Sequence, residues 1–433
     1  MDSPKTVREY QSEQHEWPET AAVGDASVLP PAFTPWDPEV ARDPYPQFAD
    51  LQERDPVHRF DAVSGWVVTR FDDCADVLRD DRFSSQVHDS TFEKTQHHEF
   101  SSPDHAAAIR EFFGCSLLFS DGPRHRELRA AARESFSPTA LRRFAPALRA
   151  LVGELVAGLP VDQPFDFVAA YSEVLPLRAV SLLIGIPLED EAELRKLVGG
   201  VGSLMDIVKS PAQRDRAADC LVALRERVRD LLAGGRLASG SLAAGLVRGQ
   251  ARGEIAESDV VGMLSLLLVT GSETTCNLLS AVVYHLGQDR EVYAELKAAE
   301  GAGVEGFVQE VLRLSPPVVG VARVAREKVR LRGRDIQAGD YVIVALAAAN
   351  RDPRSGGAGG SSHLSFGHGG HRCLGARVGA LQVEMTVHAL LDRFDGVEVE
   401  PCPELKETQV LRGWRRMSTS FRGQSRRSRR NSS

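Results

Sequence analysis

The 433-residue chain has only six cysteines, and none of them belongs to a Cys-x-x-Cys pair. This scarcity argues against a zinc ribbon and against the disulfide framework of a small secreted protein. The chain also lacks a Walker sequence and a dinucleotide-binding fingerprint placed after a strand. We therefore expect no bound flavin or NAD(P)H.

Long uninterrupted apolar runs are missing as well. The longest stretches, such as Val260 to Val269, look too short and too interrupted to cross a bilayer, and the charged N-terminus lacks the apolar core of a signal peptide. The formal net charge of −8 opposes nonspecific binding to nucleic acid. These features predict a cytoplasmic protein without a membrane or nucleic-acid partner.

Helical patterns dominate what remains. Residues 1–35 are polar and predict a flexible leader, while the basic residues of 423–433 predict a disordered tail. Short β segments are expected near Trp66 and at 329–346. The chain between leader and tail is therefore predicted to be one mainly helical domain, 36–422, with small sheets and no repeats. Helices are expected in particular at 138–157, 166–184, 214–233, 258–286 and 304–314.

One cysteine stands out by its surroundings. Cys373 follows a glycine-rich loop, Phe366-Gly-His-Gly-Gly-His-Arg, and precedes an apolar run at helical spacing. The glycines would let the backbone approach a flat ligand closely, and a nearby helix N-terminus would lower the thiol pKa. One thiolate with an open face suits an iron in a porphyrin. The alternative is a zinc site made of His363, His368, His371 and Cys373, but no second ligand pair stands at a finger-like distance.

The segment from Val260 to Leu286 is too apolar for a surface helix, so we expect it in the core. In its middle lies a polar notch, Thr270-Gly-Ser-Glu-Thr-Thr275. Gly271 weakens a helix by about 1 kcal/mol, and a buried Glu273 carboxylate needs a partner. Threonine hydroxyls can bond back to the i−4 carbonyl and bend the helix. Such a bend would open a groove where dioxygen could lie and protons could be relayed.

Taken together, the cysteine loop and the notch resemble the cytochrome P-450 superfamily. The resemblance implies a triangular, helix-rich P-450 fold and heme b with the Cys373 thiolate as axial ligand. In the notch it implies that Glu273 is the acid and Thr274 the alcohol that deliver protons. The first notch position is usually Ala or Gly in this superfamily, so Thr270 either crowds the oxygen site or adds a hydroxyl to it. The cofactor contacts implied in the loop and notch are Phe366, His371, Cys373, Gly375 and Gly271.

The resemblance also assigns charged groups around the cofactor. Glu310 and Arg313 match the superfamily's buried Glu-x-x-Arg pair, which shapes the proximal side and is structural rather than catalytic. After Pro353 about a dozen residues of the usual meander are missing, so the third member of this ion network is either Arg354 or absent. The cations matched to the two heme propionates are His125, Arg129, Arg323 and His371.

The implied activity is that of a soluble, actinobacterial-type heme-thiolate monooxygenase, which we expect to be a monomer and to hydroxylate a mainly apolar secondary-metabolite intermediate. A ferredoxin and a ferredoxin reductase would supply electrons, with Arg372 and Arg377 as a docking patch. Two alternative functions remain open. One diverts the same chemistry to epoxidation, oxidative coupling, C–C bond formation or nitration, and the other is a heme protein that binds ligand without turnover. The expected pocket residues are Phe92, Phe112, Phe113, Leu204, Met205, Val208 and Thr270.

Overall fold

The computed structural model describes residues 33–35, 37–89, 102–206, 211–355 and 362–424. Most of the predicted leader and of the predicted basic tail lie outside these ranges. Two of the expected pocket residues, Phe92 and Val208, also lie outside them. Within the described residues the chain is mainly helical with small sheets, as the sequence predicts.

The first half of the chain contains helices of five to twenty residues, several of which begin at a side-chain cap that the sequence supplies. Ser137 is one such cap: its hydroxyl accepts a hydrogen bond from the Ala140 N–H, and Pro138 occupies the first helical turn. These helices are α1 (Pro38–Arg42), α2 (Tyr45–Arg54), α3 (Phe71–Arg79), α4 (Pro103–Gly114), α5 (Gly122–Arg133), α6 (Pro138–Ala157), α7 (Val174–Ile184) and α8 (Glu191–Gly202).

The second half contains the longest helix, α11, and the helix that follows the cysteine loop, α15. A short π-helix, Val168–Ser172, stands before α7 and interrupts the single helix predicted over 166–184. The remaining helices are α9 (Pro211–Ala233), α10 (Leu242–Ala251), α11 (Glu257–Gln288), α12 (Arg290–Ala298), α13 (Val304–Leu314), α14 (Leu346–Ala349) and α15 (Ala376–Arg393).

Helix α11 runs through the core of the fold. It packs against α7, α8, α9, α13 and α15, and most of its side chains are buried. By length and composition it could cross a membrane, but 72% of its most apolar window is buried inside the protein, as in the core helix of a globular fold. The expectation that this apolar stretch is too short to cross a bilayer was wrong as far as length is concerned, because the notch residues continue the helix to Gln288.

Strands form one larger sheet and three small ones. The larger sheet has the order β1-β2-β8-β5-β3, in which only β2 and β8 pair in parallel. Strands near the C-terminus, which the sequence reading missed, pair with each other and with the short strand before the π-helix. The strands are β1 (Val57–Phe60), β2 (Gly65–Val68), β3 (Phe83–Ser84), β4 (Phe165–Asp166), β5 (Val321–Ala325), β6 (Val329–Leu331), β7 (Arg334–Ile336), β8 (Tyr341–Val344), β9 (Phe394–Val399), β10 (Glu404–Leu405), β11 (Trp414–Arg416) and β12 (Ser418–Gly423).

Candidate active site

A cavity of about 450 Å³ lies between α11 and the cysteine loop. Cys373 lines it on one side, and Thr270, Gly271 and Thr274 line it on another. The rest of the wall is largely apolar and comes from α4, α7, the loop after α13 and the segment between β10 and β11. The fold thus brings the two sequence motifs, a hundred residues apart, onto one enclosed space.

The cysteine loop is held in a tight backbone conformation. The Cys373 N–H donates to the Phe366 carbonyl at 2.7 Å. Gly367 and Gly369 have φ values of 69° and 70°, in the left-handed region that favours glycine. A Cβ on Gly369 would lie 2.7 Å from the Leu78 carbonyl oxygen, so no side chain fits there. The loop therefore presents the Cys373 side chain to the cavity, where it is accessible.

The surroundings of Cys373 do not lower its thiol pKa, contrary to the expectation from the sequence. Burial in the fold raises the pKa, and a hydrogen bond from the Gly375 N–H together with the charges of Arg129 and Arg372 offsets only part of this rise. Helix α15 begins at Ala376, three residues further on, so its dipole acts from a distance. A coordinating metal deprotonates such a thiol outright.

The polar notch in α11 has the predicted backbone-bonded threonines. The Thr270 hydroxyl donates to the Leu266 carbonyl at 2.8 Å, and the Thr274 hydroxyl donates to the Thr270 carbonyl at 2.7 Å. Gly271 has a packing reason as well, because a Cβ there would lie 3.0 Å from the Val180 side chain on α7. Glycine thus permits close approach of α7 and α11 beside the cavity.

Glu273 does not line this cavity. Its Oε2 accepts a hydrogen bond from the Lys406 Nζ at 2.9 Å, and each side chain is only 16% exposed. Lys406 itself lines the cavity, whereas Glu273 lines a second one behind the notch. The partner that the buried carboxylate requires is therefore a lysine 133 residues away, and nothing in the local sequence around Lys406 marks it.

The four cations matched to the heme propionates all line the main cavity: His125, Arg129, Arg323 and His371. The His125 Nε2 is buried and has no hydrogen-bond partner among the described residues. Burial lowers the pKa of His125 to about 4 and that of Arg323 to about 10. An anionic group at this end of the cavity would satisfy both side chains, so the site fits a cofactor with carboxylate arms.

His371 also has a partner that the sequence reading missed. Its Nε2 lies 3.2 Å from Oδ1 of Asp121, which precedes α5. Burial alone would raise the pKa of Asp121, but hydrogen bonds from His371, Ser84 and Arg326 hold it well below its usual range. Asp121 thereby ties the cysteine loop to β3 and to the segment after β5.

The predicted Glu310–Arg313 pair forms within α13. The Arg313 guanidinium donates two hydrogen bonds to the Glu310 carboxylate, at 2.9 and 2.7 Å, and a third to the Asn350 carbonyl at 3.0 Å. Arg354 does not join them, because its guanidinium lies 3.4 Å from Asp352 and its side chain is 48% exposed. Of the two alternatives for the shortened meander, the one that makes Arg354 a third partner is wrong.

The remaining predicted residues divide between the cavity and the core. Phe113, Leu204, Met205 and Thr270 line the cavity. Phe112 does not: it is 1% exposed and packs in the core, because its neighbour on α4 takes the cavity face. Lining residues that the sequence reading missed include Leu117, Phe119, Val180, Val319 and Leu411.

The zinc alternative finds no support among the described residues. They contain no cluster of three or more His, Cys, Asp or Glu side chains that could hold a metal ion. His363 points to the Gln309 side chain at 3.0 Å, and His371 points to Asp121. The cysteine loop therefore offers a single protein ligand, as a porphyrin iron requires.

Known proteins resemble this chain in sequence and in fold. A model of the cytochrome P450 family matches residues 304–355. The chain is 31% identical to cytochrome P450 monooxygenase PikC of Streptomyces venezuelae over 84% of this chain and 87% of that protein. It is 26% identical to the polyketide biosynthesis cytochrome P450 PksS of Bacillus subtilis over 90% of this chain and 98% of that protein. The crystal structure of CalO2 superimposes with a TM-score of 0.81 at 29% identity, covering 91% of this chain and all of that one.

The chain belongs to the cytochrome P450 family. It has the P450 fold, and it is an oxidoreductase of the monooxygenase type, which incorporates oxygen from molecular dioxygen. The family's cofactor is a heme with a thiolate ligand, and bacterial members generally receive electrons from a separate redox protein such as a ferredoxin. The thiolate ligand agrees with Cys373, the one cysteine among the residues that line the cavity.

Proposed function

We propose that this chain binds heme b through Cys373 and hydroxylates a mainly apolar small molecule, an intermediate of secondary metabolism. The observation that carries the proposal is one shared cavity, which has the cysteine on one side, the polar notch on another and apolar walls between them. Apolar walls with few polar groups are typical of sites for small organic ligands. The likeness to a polyketide biosynthesis P450 supports a substrate from such a pathway.

The cysteine side of the cavity would hold the cofactor. Cys373 would ligate the iron, Phe366 and Gly375 would flank it, and the buried or half-buried side chains of His125, Arg129, Arg323 and His371 would receive the propionates. When bound, the heme supplies the activation of dioxygen and the transfer of one oxygen atom to the substrate, favoured by the electron density of the thiolate. Gly271 would let α11 lie close to the cofactor, since it adds no side chain to the cavity wall.

The notch would relay protons to the oxygen site. Thr274 holds its hydroxyl at the cavity wall by donating to the Thr270 carbonyl, so its oxygen remains able to accept a hydrogen bond. Glu273 would supply protons from behind the helix, where Lys406 fixes its carboxylate. Thr270 donates its own hydroxyl proton to Leu266. It would therefore limit the space beside the oxygen site instead of donating a hydrogen bond there.

The apolar wall would orient the substrate. Phe113, the adjacent Leu204 and Met205, and Leu411 come from three separate segments that meet at the cavity wall. Aromatic and flexible thioether side chains of this kind accommodate irregular apolar ligands. This arrangement favours an enzyme that discriminates by shape, because few polar groups of the wall could read a substrate by hydrogen bonding.

Electrons would come from a ferredoxin and its reductase, and we propose no flavin or NAD(P)H site on the chain itself. Arg372 is exposed near the cysteine loop and could contact an acidic partner. Arg377 is 55% exposed but pairs with Glu384 at 2.6 Å, so its charge is partly neutralised. The proposal also places the protein in the cytoplasm as a monomer with a catalytic domain at 36–422.

The test begins with the purified holoenzyme and a panel of apolar polyketide, terpenoid and peptide compounds. A compound that displaces the sixth iron ligand should shift the heme absorption spectrum. That compound should then gain one oxygen atom when a surrogate ferredoxin, its reductase and isotopically labelled dioxygen are supplied, as measured by mass spectrometry. Spectral binding without label incorporation would instead identify a heme protein that binds ligand without turnover.

A further inference from the structure

A second cavity lies behind the notch of α11, on the opposite side from the apolar pocket. Its volume is about 390 Å³, and Glu273 lines it together with residues of α7 and α8. Because Lys406 lines the main cavity and pairs with Glu273, this ion pair stands between the two cavities. The full lining of the second cavity is Glu173, Leu177, Ala192, Arg195, Lys196, Val198, Gly199, Ser272, Glu273 and Cys276.

The second cavity contains buried polar groups that water could satisfy. The Ser272 side chain is 6% exposed, and its buried hydroxyl has no hydrogen-bond partner among the described residues. The buried Nε of Arg195, which lines the same space, has none either. A cavity of this size, with charged and hydroxyl side chains in part of its wall, is large enough for several water molecules, and buried polar groups of this kind are normally satisfied by ordered water.

Glu173 brings a second carboxylate to this space. It follows directly on the π-helix Val168–Ser172, and π-helical turns are uncommon and occur often at functional sites. Burial raises the pKa of Glu173, the charge of Lys406 lowers it, and the charge of Glu273 raises it again. Arg195 and Asp166 act on it more weakly, in opposite directions. Two carboxylates thus act on one lysine, and the pKa of one of them, Glu173, lies above its usual value because of burial.

We infer that Glu173 and the water of the second cavity form the solvent end of the proton route, and that Lys406 positions Glu273 as its inner end. This inference rests on the proposed role of Glu273. It adds a relay carboxylate, Glu173, and a positioning residue, Lys406, that neither the cysteine loop nor the notch predicts. In this assignment protons pass from bulk water into the second cavity, which Glu173 lines.

The route is balanced at each transfer. Glu173 gives its proton to cavity water and regains one from bulk solvent, while Glu273 passes one proton inward and regains one from the cavity. Burial alone would lower the pKa of Lys406, but the surrounding Cys276, Glu273 and Glu173 raise it well above its usual range. The lysine therefore remains protonated throughout and moves no proton itself. The electrons of the reaction come from the reduced ferredoxin and do not use this route.

The experiment measures oxygen consumption of the holoenzyme in light and heavy water. A surrogate ferredoxin and its reductase supply electrons, and no organic substrate is added. The variants are Glu173→Gln, Glu273→Gln, their double combination and Lys406→Met with Lys406→Arg as conservative rescue. Glu193→Gln is the matched control, because Glu193 lies on α8, is 50% exposed and is absent from the second cavity. The carbon-monoxide spectrum and the melting temperature verify that each variant is folded and loaded.

We expect Glu173→Gln and Glu273→Gln each to slow oxygen consumption about tenfold and to increase the solvent isotope effect. The double variant should be no slower than Glu273→Gln alone, because both residues act in one route. Lys406→Met should slow it severalfold, and Lys406→Arg should restore it. A readout independent of turnover is a pH titration of the infrared carboxyl bands of the resting protein, from which Glu173→Gln should remove the infrared band that protonates above the usual range of a glutamate.

Two results would count against this assignment in different ways. If Glu273→Gln slows oxygen consumption but Glu173→Gln behaves like Glu193→Gln and leaves the infrared band in place, the solvent end lies elsewhere and the proposed role of Glu273 stands. If Glu273→Gln itself has no effect, the proposed role of the notch carboxylate fails, and the inference fails with it.

Discussion

The two sides of the cavity are assembled in different ways. On the cysteine side, one loop supplies the proposed ligand Cys373, two glycines with positive φ and His371 within ten residues. On the notch side, Thr274 is fixed by a carbonyl of its own helix, but Glu273 depends on Lys406, and the roof comes from segments across the whole chain. This difference shows that a short stretch of sequence can supply a candidate ligand and its loop. A pocket and a proposed proton route, in contrast, require contacts between distant parts of the chain.

The largest effect should follow removal of the thiolate. Cys373→Ala deletes the only cysteine that lines the main cavity, so the strongly red-shifted Soret band of the reduced carbon-monoxide complex should be lost completely. Cys402→Ala changes an exposed cysteine outside that cavity and should keep the band. A Cys373→Ala protein that retained the thiolate spectrum would contradict the assignment of the cysteine side.

A loss of stability should follow from breaking the buried ion pair of α13. Glu310→Gln leaves Arg313 with a neutral partner, and removing one member of a buried pair costs about 3–5 kcal/mol. The measurement is urea unfolding of the holoenzyme. Glu305→Gln, an exposed position on the same helix, should change the free energy of unfolding by less than about 0.5 kcal/mol.

The glycine loop offers a matched pair of substitutions. Gly369→Ala forces a side chain into the left-handed region and against the Leu78 carbonyl, and we expect a loss of about 2–4 kcal/mol with poorer heme retention. Gly370→Ala meets nothing within 4 Å, so it should be nearly silent. Equal melting temperatures for the two variants would show that the loop relaxes without cost.

On the notch side the effect should appear in coupling instead of stability. Thr274→Ala should leave the carbon-monoxide spectrum intact but divert NADPH oxidation to hydrogen peroxide, with product per NADPH falling on the order of tenfold. Thr274→Ser keeps the hydroxyl and should retain most of the coupling. If Thr274→Ala also lost the thiolate spectrum, the notch side and the cysteine side of the cavity would not act independently.

The smallest effect should come from Arg354. Its side chain is 48% exposed and faces Asp352 at 3.4 Å, so Arg354→Ala should change the free energy of unfolding by less than about 0.5 kcal/mol. Heme content should match that of the parent protein. A cost as large as that of Glu310→Gln would show that Arg354 reaches the ion pair of α13 after all.

Several features were predictable from local pattern. The apolar spacing placed α6 and α13 at their observed bounds, and the Glu-x-x-Arg spacing anticipated the two hydrogen bonds from Arg313 to Glu310. The i−4 bonds of Thr270 and Thr274 follow from the side-chain chemistry of threonine in a helix. These interactions join residues within one or two turns, so their geometry is set by the helix itself.

Other features were decided only when the chain folded. The pairing of Lys406 with Glu273 and of Asp121 with His371 joins residues more than a hundred positions apart, and no local spacing encodes such contacts. Phe112 and Phe113 are neighbours in sequence, yet only the packing of α4 determines which of them faces the cavity. The sequence by itself therefore determined the family and most of the helices, and it is enough to propose Cys373 as the ligand. The tertiary structure decided which charges meet and which walls enclose the substrate, because both depend on long-range packing.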